Sequence, residues 1–207
     1  MAIDAVVFDI GNVLVQWRPE DAFDRLIGEA RRRALFSAVD LDTMNKRVDL
    51  GDEIADVVAE CAVAHPEWRE EVLIWNTHWA DMFQPVIPES VRLLRALRAR
   101  GVPVLALSNF GDRTFDLAQT MYPFLTEFDQ MYISGRMRMM KPDPEIYAAL
   151  EAACGFAPDR LLFADDRADN IAAAEARGWQ GHLFEGPEGF AARLVAEGLL
   201  SKAEVGP

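Results

Sequence analysis

The stretch AVVFDIGNVLVQW, residues 5–17, decides how the chain is read. Ala5 to Ile10 is apolar nearly throughout, as expected for a strand buried on both faces, the habit of parallel sheets. The run carries one carboxylate, Asp9, and Gly11 follows two residues later. A carboxylate at such a strand end is ordinarily a turn residue or a cap. Beside a metal it is also a nucleophile able to attack phosphorus and form an aspartyl-phosphate.

Outward from that strand the pattern changes. From about Pro19 to Phe83 helical periodicity takes over, in EDAFDRLIGEARRRALF, DEIADVVAECAVA and PEWREEVLIWNTHWADMF. Trp17-Arg18-Pro19 and QPVIP at 84–88 bound this block with the proline content of linkers or turns. After Pro88 helices and strands alternate: ESVRLLRALRARG stops at Gly101, VPVLALSN follows, and RLLFADD, RADNIAAAEARG and QGHLF come later. Such alternation implies a parallel sheet covered on both faces. The predicted fold is α/β, a three-layer doubly wound parallel sheet from residues 1–16 and 86–207, with an α-helical insertion at 17–85.

Composition narrows the function. Of 207 residues, 34 are acidic and 21 basic, giving a net charge of −13. That surface repels nucleic acid and anionic membranes, and no apolar run approaches the ~20 residues of a membrane span. No basic segment precedes the N-terminal apolar run, so no signal peptide is expected. Cys61 and Cys154 lack CxxC spacing, which points to reduced thiols and a cytoplasmic protein, monomeric or homodimeric. His65, His78 and His182 match no zinc-ligand spacing.

In open α/β sheets ligands bind beyond the carboxyl ends of the strands. Asp9, Ser108-Asn109 and Asp165-Asp166 stand at those ends, and Lys141 lies in the loop before the helix that opens at Pro142. Taken singly, each reads first as a bland residue: Ser-Asn as a cap, Lys141 as a surface charge, FADDRADN as a solvated acidic loop. Together they supply more. Adjacent carboxylates repel and a cation relieves them; Mg²⁺ takes oxygen ligands and needs only one or two carboxylates. A hydroxyl and backbone N–H groups at a helix start hold phosphate oxygens, and a lysine adds the positive charge that the acidic surface lacks.

An Asp, a Ser-Asn, a Lys-Pro and an Asp-Asp in that order, over roughly residues 3–185, resemble the haloacid dehalogenase superfamily and its Rossmann-like core. The helical block is similar to that superfamily's cap. The resemblance implies Asp9 as nucleophile and metal ligand, with Ser108 and the Asn109 backbone holding the phosphoryl group. It implies Lys141 neutralising phosphate oxygens and orienting Asp9. The metal ligands would be Asp9, the Gly11 carbonyl, Asp166 and Asp165, the last as ligand or support, with Asp169 or Asn170 holding a water on Mg²⁺. FDIGNV with SN, MKP and DDRADN also resembles a subgroup that includes bacterial glucose-1-phosphate phosphatases. The implied substrate is a small phosphorylated metabolite, a sugar phosphate first.

Gly11 departs from the pattern. Most phosphatases of the superfamily carry there a second aspartate, the general acid/base, whose service is typically worth ~10²–10⁴-fold. Three readings stay open: a Mg²⁺-dependent phosphatase for good leaving groups, with a substrate hydroxyl or a water taking over; a 2-haloacid dehalogenase whose aspartate attacks carbon; and an idle domain that binds a phosphorylated ligand or a protein. An aromatic at helical spacing is more often core than ligand contact. Sugar rings stack on aromatics, so Trp17 at the entry to the insertion is a candidate to line the substrate pocket, as is Phe110 just beyond Ser108-Asn109. Arg31, Arg32 and Arg33 read as a solvated helix face.

Overall fold

The computed structural model describes residues 2–206. The chain runs β1 (Ala5–Phe8), β2 (Val15–Trp17), then helices α1 (Pro19–Ile27), α2 (Glu29–Ala38), α3 (Leu41–Asp49), α4 (Ile54–Ala64), α5 (Arg69–Thr77) and α6 (Trp79–Met82). After β3 (Phe83–Val86) come α7 (Pro88–Ala99), β4 (Val104–Ser108), α8 (Asp112–Met121), β5 (Gln130–Ile133) and α9 (Ser134–Met137). The last elements are α10 (Pro144–Cys154), β6 (Leu161–Asp165), α11 (Ala168–Glu175), β7 (Gln180–Leu183), α12 (Pro187–Ala196) and α13 (Lys202–Val205).

Five strands form one parallel sheet in the order β5-β4-β1-β6-β7. The side-chain period of two sends alternate residues to opposite layers. Val6, Phe8, Val104, Ala106, Leu162 and Ala164 face one layer, packed with α7, α8 and α12; Ala5, Val7, Leu105, Leu107, Leu161 and Phe163 face the other, packed with α10 and α11. Every residue of β1 is fully buried, because it is the central strand and both faces are covered. α7 starts on Pro88 and ends at Ala99, with Arg100 as its cap, after which Gly101 takes φ +73°. That left-handed turn is the stop a glycine permits.

β2 and β3 pair antiparallel, Val15 with Val86 and Trp17 with Phe83, and form a separate two-stranded ribbon. The sequence pattern marks these segments as linkers or turns; the ribbon is too short, and with Pro85 too irregular, to show a period of two. Between its strands lie α1 to α6. Their apolar residues, Phe23, Leu35, Val58 and Trp75 among them, are continuous with the layer that Phe8 faces. Arg31 and Arg33 are exposed, paired with Glu71 and Glu29, but Arg32 departs from a solvated face: its side chain is only 13% exposed in its pair with Asp24.

The chain leaves β1 toward β4 on one side and reaches β6 on the other. The strand order thus reverses at β1, where a doubly wound sheet leaves a crevice at its carboxyl edge. Asp9, Ser108 and Asp165 end three adjacent strands there. Among the described residues no helix is long and apolar enough to cross a membrane.

Candidate active site

Asp9 leaves β1 with its N–H bonded to the Ala164 carbonyl at 2.9 Å, so the ladder to β6 continues one residue past the strand. Its Oδ1 accepts from the Ile10 N–H at 2.7 Å and from Ser108 Oγ at 2.6 Å, and lies 3.0 Å from Lys141 Nζ. Oδ2 meets no donor among the described residues, and Asp9 lines a cavity of about 1140 Å³ between the sheet edge and the helical insertion. One oxygen is held and the other is open. Burial pushes the Asp9 carboxyl up to about 7; Lys141 pulls it down, while Asp165 and Asp166 add to the rise.

Lys141 is the unusual member, with a side chain only 1% exposed. Burial works against its cation, but Asp9 and Asp165 outweigh that and raise its pKa. The ammonium donates to Asp165 Oδ2 at 2.6 Å. Its backbone is fixed by Asn109, whose Oδ1 accepts from the Lys141 N–H and whose Nδ2 donates to the Lys141 carbonyl, both at 2.8 Å. The Asn109 side chain is therefore spent on positioning Lys141. Only its backbone N–H, which bonds to nothing among the described residues, remains for a ligand.

Asp165 and Asp166 differ despite adjacency. Asp165 is fully buried and both of its oxygens are taken, by Lys141, by Asn170 Nδ2 at 3.0 Å to each, and by the Arg167 N–H at 2.8 Å. Asp166 lines the cavity and accepts on Oδ2 from Asn12 Nδ2 at 2.9 Å. Burial raises its pKa, Asn12 opposes that and Asp165 reinforces it. Asp169 is drawn away into an ion pair with Arg167 at 2.6 Å, whereas Asn170 stays against Asp165 with a buried, unpartnered Oδ1.

Oxygen atoms of Asp9, Asp165 and Asp166 lie within 4.8 Å of one another. Once all three are ionised, three carboxylates against one ammonium leave two negative charges uncompensated at the centre of the site. A carboxylate oxygen of Asp9, the free oxygen of Asp166, the Gly11 carbonyl (which accepts no backbone hydrogen bond in its turn) and the orphan Oδ1 of Asn170 are hard oxygen donors. That set fits Mg²⁺.

Two of the site's residues escape sequence reading. Asn12 has φ +56°, donates to Asp166, and accepts the Trp17 N–H on Oδ1 at 2.9 Å; the Gly-Asn pair was its only signal, since asparagine tolerates the left-handed region. Asp49 ends α3 and lines the same cavity. Burial and the charge of Asp9 push its carboxyl up to about 7, against the Asn45 hydrogen bond and Lys141. A carboxylate in the last turn of a helix opposes the macrodipole, and that was the available hint. Gly11 itself is not demanded by the backbone: its φ lies outside the left-handed region, and a Cβ there would meet nothing within 4 Å.

Both expected lining residues reach the cavity. Trp17 is half-buried against Trp75 and Trp79, and Phe110 is buried against Trp79, Phe83 and Phe115.

The haloacid dehalogenase-like hydrolase family matches over residues 3–178, strands β1, β4, β5 and β6 and every residue just described included. The chain belongs to that family. Over 195 residues it is 26% identical to a phosphatase of Mycobacterium tuberculosis, covering 89% of this chain and 88% of that one. It is 32% identical to a sesquiterpene phosphatase of Aspergillus oryzae over 94 residues, 45% of this chain and 48% of that one. It is 30% identical to an (S)-2-haloacid dehalogenase of Pseudomonas fluorescens over 86 residues, 42% of this chain and 38% of that one. The chain thus spans under half the length of these last two relatives. Among solved structures, a family enzyme from Bacteroides thetaiotaomicron superposes with a TM-score of 0.71 at 21% identity, covering 88% of this chain and 93% of that one. A second structure of that enzyme, in complex with magnesium and inorganic phosphate, gives 0.68 at 22% identity, with 87% and 93% covered.

Proposed function

We propose that this hydrolase is a Mg²⁺-dependent phosphatase that cleaves a small phosphorylated metabolite through an aspartyl-phosphate on Asp9. The observation that carries the reading is the divided carboxylate of Asp9. Oδ1 is fixed by Ser108, Lys141 and the Ile10 N–H, while Oδ2 opens into the cavity beside Asp166. A nucleophile held at one oxygen and free at the other attacks without first reorganising, which is where positioning lowers a barrier. The Asn109 N–H and Lys141 provide donors for the transferring phosphoryl group, and the single proton of Ser108 Oγ turns from Asp9 Oδ1 to a phosphoryl oxygen when that group is bound. Asp165 serves by holding Lys141; Asp9, Asp166 and the Gly11 carbonyl hold the metal, with Asn170 supporting it. When bound, Mg²⁺ neutralises the excess negative charge and polarises the phosphoryl oxygens.

Attack at carbon on a 2-haloacid needs no metal, and it gives no work to Asp166 or to the Asn12 that orients it. We take residues 17–85 as a cap hinged at the β2–β3 ribbon. Trp17 and Phe110 then form the wall against which a substrate ring stacks. A sugar phosphate is the first candidate, from the resemblance to glucose-1-phosphate phosphatases. The phosphatase relatives and the magnesium- and phosphate-bound Bacteroides enzyme support the chemistry. Both cysteines are free, which suits the cytoplasm.

The test is hydrolysis of para-nitrophenyl phosphate, anomeric sugar phosphates and alkyl phosphates, with Mg²⁺ and then with chelator. Chelator-sensitive release of phosphate is the expected result. No release from any ester, with dehalogenation of a 2-haloacid in chelator, refutes the proposal.

A further inference from the structure

Gly11 leaves the proposed phosphatase without a proton donor on the nucleophile loop, and the space beside it is open. What faces that space from the helical insertion decides how an unactivated ester is cleaved. Five acids of the insertion line the cavity: Glu20, Asp21, Asp40, Asp42 and Asp49. The first four are exposed; Asp21 pairs with Arg18, and Asp40 caps α3 through the Thr43 N–H. Asp49 alone is partly buried.

Its position is also built. Oδ2 accepts from Asn45 Nδ2 at 3.0 Å, and Asn45 Oδ1 in turn accepts from the Trp75 indole at 3.1 Å. Oδ1 meets no donor among the described residues. The Asp49 carbonyl accepts from Ser134 Oγ, which itself accepts the N–H of Phe110, two residues beyond Ser108. The end of α3 is thereby tied to the strand end that presents Ser108. A following contact seals the joint: a Cβ on Gly51 would lie 2.3 Å from the Gly135 carbonyl, so only glycine allows the two backbones this close.

We propose that Asp49 is the general acid and base of this phosphatase, delivered from the helical insertion in place of the side chain that Gly11 lacks. The inference rests on the phosphatase reading. In the first step Asp9 Oδ2 forms a bond to phosphorus as the ester P–O bond breaks. The electron pair of that bond goes to the leaving oxygen, which takes the proton of Asp49 and departs as an alcohol. In the second step a water oxygen attacks phosphorus and its proton passes to Asp49. The P–O bond to Asp9 breaks, the electron pair returns to the Asp9 carboxylate, and inorganic phosphate is released with Asp49 protonated again.

The electrical surroundings suit both halves. Asp49 ends its helix, where the macrodipole disfavours a negative charge. Burial and Asp9 from the end of β1 raise its pKa to about 7, while Lys141 from the loop before α10 and Asn45 on its own helix oppose them. Lys46 and Arg18 also line the cavity. A donor poised near neutrality gives its proton and takes one back with comparable ease.

The test is Asp49→Asn, assayed with Mg²⁺ on an alkyl phosphate and on para-nitrophenyl phosphate. In single-turnover release of the alcohol, loss of ~10²–10⁴-fold on the alkyl ester with the aryl rate retained is expected, because nitrophenolate leaves without a proton. Steady-state turnover falls on both, because the hydrolytic water loses its base. The retained single-turnover aryl rate also reports an intact fold and site. Wild-type kcat on the alkyl ester should fall as pH rises through about 7, and that limb should be absent in the variant. Adding Gly11→Asp to Asp49→Asn should restore part of the alkyl activity, since the side chain has room. Equal loss of the single-turnover rate on both esters, or no loss on either, overturns the inference and leaves the phosphatase reading standing. A wild type inactive on every phosphate ester overturns both.

Discussion

Replacing Lys141 with methionine probes the charge balance that organises the site. The ammonium lies 3.0 Å from Asp9 and 2.6 Å from Asp165, with side chains 1%, 11% and 0% exposed. Removing one partner from such a buried arrangement typically costs ~3–5 kcal/mol. For a chain of this size that is a fall of roughly 6–20 °C in Tm. The pH dependence is more discriminating. In the wild type the native Asp9 carboxyl holds its proton to about 7, whereas the unfolded carboxyl releases it near ~3.9. The native state binds more protons across that interval, so this group's contribution to stability is highest below it and falls until about 7, then levels. A rise from 3.8 to about 7, at ~1.4 kcal/mol per unit, makes the fall roughly 4 kcal/mol. Without Lys141 the native carboxyl keeps its proton longer, so the variant goes on losing stability above pH 7 where the wild type has levelled. Urea unfolding of both proteins in chelator, from acid to mildly alkaline pH, measures this directly. A variant as stable as wild type, or a gap that does not widen above neutrality, refutes the reasoning.

Other expectations follow from the same geometry. Asp9→Asn should abolish turnover yet stabilise the metal-free protein at alkaline pH, because it removes one of the two uncompensated charges; parallel urea curves and activity assays check both. Mg²⁺ at about 100 times its Kd should add ~2.7 kcal/mol to stability, seen as a rise in Tm that chelator reverses. Asn12→Gly keeps the positive φ but loses the bond to Asp166, and should weaken Mg²⁺ affinity by ~10–100-fold in a calorimetric titration. Phe8→Ala, in the fully buried central strand, should cost ~3–5 kcal/mol in urea unfolding without changing the metal affinity of the folded protein.

The sheet was legible because β1, β4 and β6 are apolar runs that end in chemistry-bearing residues, and the alternation of helix and strand leaves few ways to order them. The helical insertion was legible from its loss of strand character. The β2–β3 ribbon was not, since three residues and a proline-bearing four carry no periodicity. At the site, sequence order brought Asp9, Ser108, Lys141 and the Asp165-Asp166 pair to one edge. It could not tell which of two adjacent aspartates is saturated with donors and which faces the cavity, because that depends on Asn170 and Asn12 reaching in from elsewhere. Asp49 was hidden for a related reason: its neighbours in space, Asn45 apart, come from β1, α9 and the Lys141 loop, far away in sequence.

The covalent step on Asp9 is the centre of the account. Wild-type protein turning over para-nitrophenyl phosphate with Mg²⁺, quenched in acid and digested, should yield the peptide bearing Asp9 with the mass of one added phosphoryl group, and Asp9→Asn should yield none. Rapid turnover with that peptide unmodified at every quench time, or the phosphoryl group on another residue, would contradict it.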